Sequence, residues 1–317
     1  MGFYIFSYVC IVAFIVTTGL RVWRQFSLPV HLRWEIYPVQ HEPAVRAAYG
    51  GSYMEELNWW DKKRENSLVN ELRYMVPEIL FLRGLCKENR RLWRVSFPFH
   101  FGLYLMIATF ILLVLHSLLI LMQGENVQEG SIQKLLESVI AYSGWSGVIL
   151  GTVGSLGLLY KRVSDPSLRN YSSFGDFFNI TIILLFFLSA FVACLLNDPL
   201  LEGARAYTYG LLTGGHSLLS YVPGQSISGG TAIILASFLI AYIPLTHMSH
   251  MFMKFFLYHN VKWDDTPNRR GGPMEAVLLQ NLDLKPTWRA KHVEADGRKS
   301  WGDMVSSVLK RSNEEKY

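Results

Sequence analysis

Six of the nine histidines in this 317-residue chain lie in or beside long apolar stretches. His100 and His116 fall in one stretch and His247 and His250 in another; His216 lies between blocks and His259 just beyond the last. A neutral imidazole offers one ring nitrogen to a metal. An ionisable side chain inside an apolar span is a functional candidate because placing it there is costly. Spacing sorts the set. His247 and His250 stand three residues apart, on one helix face. His100 and His116 are sixteen residues apart, about 24 Å along a helix and about 160° around it. Two histidines at one depth on neighbouring helices can ligate a haem iron from both faces. Such an iron has no open position, which suits electron transfer rather than oxygen chemistry. The plainer alternative for each is a packed or interfacial side chain bonded to backbone.

The elements that must position these residues are five apolar blocks, at 3–20, 97–122, 139–160, 177–196 and 229–257. Each approaches or exceeds the roughly 20 residues that span a bilayer. Continuous apolar runs, without strand alternation, imply helices whose backbone groups are satisfied internally. None of these blocks contains an acid; the one base, Lys254, is close enough to an end to snorkel. Charged residues are 17% of the chain, below the roughly 25% of soluble domains. The expected fold is an all-α integral membrane bundle of five helices: a membrane domain over 1–257 with a loop at 22–96, and a polar tail over 258–317.

Of 30 Lys and Arg residues, all but Lys134 and Arg205 fall in segments that alternation of five helices places on one side. The positive-inside rule puts that side in the cytoplasm, with the N-terminus outside and the C-terminus inside. The net charge of +5 follows from this bias and carries no nucleic-acid signal. The first block has no positive charge before it, so it reads as a retained anchor rather than a cleaved signal. Cys10, Cys86 and Cys194 are scattered, with no CxxC or CxxCH motif.

Topology then sorts the histidines by depth. His100 and His250 both belong to the cytoplasmic half and form the expected ligand pair. His247 is an alternative ligand, or a hydrogen-bond partner for a propionate or quinone. His116 lies at outer depth, where His216 is its natural mate for a second haem; a helix bend, or haems on different sides of the helix, must reconcile it with His100. Gly144, Gly147, Gly151, Gly154 and Gly157 give the third block a small face, for close helix packing or for the edge of a flat macrocycle. Lys87, Arg90, Arg91 and Arg94 precede the second block, as an anchor on anionic headgroups that is also available for docking a soluble partner. An amphipathic helix is expected over 67–85, interrupted at Pro77. The tail has too few apolar residues for a core of its own and should order on a partner or stay mobile.

The segments FPFHFGLYL (97–105) and YIPLTHMSHMFMKFF (242–256) resemble the membrane cytochrome b subunits of respiratory nitrate reductases, the gamma subunits. Together with ILFLRGLCKENRRLWR (79–94) and KRVSDPSLRNYSSFGDFFNITI (161–182), they are most similar to relatives that pair with heterodisulfide-reductase-like iron–sulfur proteins in sulfate reducers and methanogens. The resemblance covers about 65–290. It implies haem b, held by histidines of the second and fifth helices; here Pro244 followed six residues later by His250 matches the cytoplasmic-side ligand and His100 its partner. It further implies a menaquinone-type quinone, a cytoplasmic iron–sulfur subunit, periplasmic redox subunits as further partners, and an anaerobic respiratory complex in the inner membrane. The positions that would carry the family's other haem are Phe110 and Ala232, and neither can ligate. One haem is therefore implied, or two if His116 and His216 substitute. A rival from another class is a non-haem anchor or transporter-like subunit. Reporter fusions test the topology: alkaline phosphatase between the fourth and fifth blocks should be active outside, and a C-terminal fluorescent protein should mature in the cytoplasm.

Overall fold

The computed structural model describes residues 1–27, 43–49, 56–57, 67–123, 130–215, 226–250, 268–287, 289–290 and 293–306. Among them, five helices are long and apolar enough to cross a membrane. In chain order the elements are α1 (Gly2–Ser27), α2 (Ala44–Ala48), α3 (Leu68–Phe81), α4 (Arg83–Glu88), α5 (Arg90–Gln123), α6 (Ser131–Ser164), α7 (Pro166–Arg169), α8 (Phe174–Leu196), α9 (Glu202–Leu212), α10 (Ile227–Tyr242) and α11 (Pro273–Leu282), followed by a two-strand ladder, β1 (Arg289–Ala290) with β2 (Val293–Glu294). The chain forms two compact units: Met1–Thr18 with Arg73–Met248, and Gly19–Leu72 with Ser249–Tyr317.

The first unit is built on the α5–α6 hairpin, its most extensive helix pair. In hydrocarbon, helices gain nothing from hiding apolar surface from water and associate through close van der Waals packing. The glycine face of α6 serves that purpose. A Cβ at Gly102 would lie 2.5 Å from the backbone nitrogen of Gly151, one at Gly154 would lie 2.2 Å from that of Phe99, and one at Gly157 would meet Val95 at 2.6 Å. The Phe187 ring fills the notch at Gly151 and is fully buried. This face is thus occupied by the α5 backbone and by α8. The core continues through Val148, Ile183, Ala190 and Leu239, joining α6, α8 and α10.

Caps explain several boundaries. Asn89 accepts from the Leu92 N–H at the start of α5, Ser226 from Gly229 at the start of α10, and Asp176 from the Ser173 N–H and hydroxyl at the start of α8. The expected break at Pro77 is displaced. α3 runs through Pro77, and the chain turns at Leu82, in the left-handed region with φ 50°. Side chains of α5 take the open carbonyls of this helix end, Tyr104 at Ile79 and Trp93 at Phe81, and Glu78 receives the Gly84 N–H.

The last membrane helix is shorter than the block 229–257. α10 stops at Tyr242, and two 3-10 turns follow, Ile243–Leu245 and His247–Ser249. Pro244 lacks an N–H and its ring clashes with the preceding turn. Residues 251–257 lie outside the described residues, as does most of 28–66. The helix α9 was not anticipated. Its Tyr207 stacks on Tyr4 of α1 at 4.8 Å and its hydroxyl meets Ser7, which also bonds Ser237 of α10.

In the second unit, described parts of the tail form local structure. Ala295 and Met304 are buried, and backbone bonds join Gly297 to Pro286 and Trp301 to Leu284. Ser300 donates its backbone N–H and its hydroxyl to Asp303, which holds that carboxyl below its usual range.

The seam predicts a contrast. Gly154→Val must displace the α5 backbone and should destabilise the fold by about 3 kcal/mol or more, the upper end of overpacking. Gly19→Ala, with nothing within 4 Å, should be neutral or stabilising by up to about 1 kcal/mol. Thermal unfolding in detergent measures both.

Candidate functional site

His100 lies in the third turn of α5 and is half-buried. Its Nδ1 is 2.8 Å from the carbonyl oxygen of Ser96, one turn back. A carbonyl only accepts, so a contact of that length makes Nδ1 the donor, and a neutral ring then keeps its lone pair on Nε2. Histidines that ligate metals are oriented in this way, with the other ring N–H donated to a carbonyl or carboxylate. The buried Ser96 hydroxyl is 3.3 Å from the same nitrogen, and Phe99 packs edge-on against the ring.

The chain after α10 is held at several points. Tyr242 donates to Asn179 of α8 at 2.8 Å. Thr246 supports the turn by accepting from Met248 and donating to Ile243. His247 is exposed, and its Nε2 stands 3.6 Å from Oδ1 of Asp176. Arg162 of α6 approaches the same oxygen at 3.5 Å and donates to Ser172. Asp176 therefore joins the end of α6, the start of α8 and the chain beyond α10. His250 is exposed and belongs to the second unit; there the neighbouring Ser249 is buried and accepts from Arg21 of α1 at 2.7 Å.

At the opposite end of α5, His116 is 3% exposed. Its Nε2 is 3.2 Å from Oε1 of Glu137 on α6, and Oε2 of Glu137 is 3.5 Å from Arg205 on α9. His216 lies outside the described residues. The structure thus brings His116 together with Glu137 and Arg205, and His247 with Asp176 and Arg162. Among the described residues no three His, Cys, Asp or Glu side chains cluster as a metal site; a haem iron takes only two protein ligands.

Sequence reading missed Glu137 and Asp176 because the apolar blocks were bounded inside the true helices, and it gave Arg205 no partner. α6 begins at Ser131 and α8 at Phe174, so both helices carry an acid, contrary to the expectation of none. One signal was available. Arg205 is one of only two basic residues on its side of the membrane, and such an exception calls for a local acid.

These features define a polytopic α-helical membrane protein with histidines near both ends of its α5 helix. The family profile of the nitrate reductase gamma subunit matches residues 85–264, and the chain belongs to that family. Its members are membrane electron-transfer subunits of respiratory complexes and are generally haem b cytochromes. No curated protein and no solved structure proved similar to the chain.

Asp176→Ala should remove the N3 acid of the α8 capping box together with its ion pairs to Arg162 and His247, costing about 1–2 kcal/mol. Asp165→Ala removes the side-chain N-cap of the four-residue α7 and should cost about 0.5–1 kcal/mol, the lower part of the N-cap range. Parallel melts of the two variants make the comparison.

Proposed function

We propose that this chain is a haem b subunit of an anaerobic respiratory complex in the inner membrane, with its N-terminus outside and its C-terminus in the cytoplasm. It exchanges electrons between a menaquinone-type quinone and a cytoplasmic iron–sulfur subunit of the heterodisulfide-reductase-like kind. Periplasmic redox subunits are further candidate partners. The proposed membrane domain is 1–257, with the tail 258–317 on the cytoplasmic side.

The observation that carries this reading is the match of residues 85–264 to the nitrate reductase gamma subunit family, whose members are generally haem b cytochromes. The 2.8 Å contact of His100 Nδ1 with the Ser96 carbonyl agrees with it, since metal-ligating histidines commonly donate their other ring N–H in this way. His100 and His250 both fall within the span that matches the family, and they are the residues that would hold the haem iron. A haem with two histidine ligands supplies a one-electron couple without an open site for oxygen. The chain supplies the rest: fixed imidazole orientation and a dry apolar surround that tunes the potential. His247 is assigned a positioning role beside Asp176 instead of ligation.

The rival reading, a non-haem anchor or transporter-like subunit with proton-carrying histidines, has one observation in its favour: the buried His116 beside Glu137. The two readings separate on haem content. His100→Ala and His250→Ala should each abolish the reduced haem α-band while the subunit still accumulates in membranes, and His247→Gln should retain it. A full spectrum in His250→Ala would remove that ligand, and a wild-type chain without an α-band would favour the anchor.

A further inference from the structure

The end of α5 remote from His100 is as fully built as the end that carries it, but its contents differ. The pair His116 and His216 would place a second haem there. Nε2 is the imidazole nitrogen farthest from the backbone, and so the one that reaches an iron at the centre of a porphyrin. In His116 this nitrogen faces Glu137 at 3.2 Å, with the side chain 4% exposed. Glu137 is held in turn by Arg205, itself 12% exposed. Three ionisable groups from α5, α6 and α9 thus meet in a place where an unpaired charge would be severely penalised.

Protein fills the space on the His100 side of this trio; beyond it, Leu119, Ser131, Ile132 and Gln133 line an open cavity of about 350 Å³. Leu113, Ile140, Cys194 and Leu201 form a second core between α5, α6, α8 and the approach to α9. Leu201 adopts a left-handed backbone, φ 56°, a strained conformation that persists only when surrounding contacts enforce it. Its side chain enters the notch at Gly144, where a Cβ would lie 2.7 Å away. One turn further along α5, Thr109 bonds Ser143 across the hairpin at 2.9 Å. Ser117, next to His116, is completely buried. A flat macrocycle between these helices would have to displace Leu201, separate the Thr109–Ser143 bond and strip His116 from its acid.

We propose that His116, Glu137 and Arg205 form a buried ionic lock that closes this end of the bundle, and that the chain carries a single haem, at the His100 end. The second clause rests on the haem b reading above. The lock gives each member a role that is structural: Arg205 neutralises Glu137, and Glu137 fixes the His116 ring between α5 and α6.

Haem per chain, measured by pyridine haemochrome on the purified full chain, tests the proposal. The expected value is one, with a single wave in a redox titration. His116→Gln should keep the same stoichiometry, α-band and midpoint potential. Glu137→Gln should lower the thermal midpoint by leaving Arg205 without its acid, and adding Arg205→Gln should restore part of the loss. Two haems per chain, or loss of haem in His116→Gln, overturns the inference, and the wild-type stoichiometry decides the matter if that variant does not accumulate. A double variant no more stable than Glu137→Gln alone contradicts the lock. No haem at all overturns the haem b reading itself, a result distinct from a count of two.

Discussion

The approach of α5 to α6 sets the positions of everything else. At Gly102 and Gly154 the two backbones come so close that no side chain fits between them. Contact at this range fixes rotation as well as distance, since a helix turned by one residue would bring a Cβ into the opposing chain. Association in hydrocarbon depends on such packing. The seam therefore determines which α5 residues face α6, and Phe99, Met106 and Thr109 all point there. It also keeps α5 continuous from Arg90 to Gln123 through Pro98, so His100 and His116 sit on one rigid rod at two depths.

A second constraint is the loss of helix at Pro244. A straight continuation would have carried His247 and His250 along one face. Instead the chain passes through two 3-10 turns. The acid that caps α8 also faces the first of these histidines and Arg162, so one carboxylate ties helix start, helix end and turn together. This separates two residues that a helical pattern treats as equivalent. His247 is held at the α8 terminus, and Ser249 next to His250 is held by Arg21.

Much of this was legible in the sequence for physical reasons. Bilayer thickness imposes a length on each apolar block, and the five blocks correspond to α1, α5, α6, α8 and α10. The glycines of α6 announced close packing because their spacing keeps them on one face. What was not legible depends on contacts between distant segments. α9 has too few apolar residues to register as a span, and its burial comes from α5 and from Tyr4 and Ser7 of α1. Glu137 lay outside its apolar block, yet helical geometry continues beyond the apolar part. The break after α3 fell at Leu82 rather than Pro77 because side chains of α5 cap the carbonyls at that end. His216 lies outside the described residues, so its expected partnership rests on sequence alone.

The proposed account depends on an iron held by two imidazoles, His100 with its proton fixed by Ser96 and His250. Six-coordinate ferric haem with two histidine ligands is low-spin, whereas loss of one ligand leaves a high-spin ion. Low-temperature electron paramagnetic resonance of the oxidised full chain in membranes tests this most directly. The account predicts a low-spin ferric haem signal with no substantial high-spin component. A predominantly high-spin axial signal, or no haem signal, would contradict it.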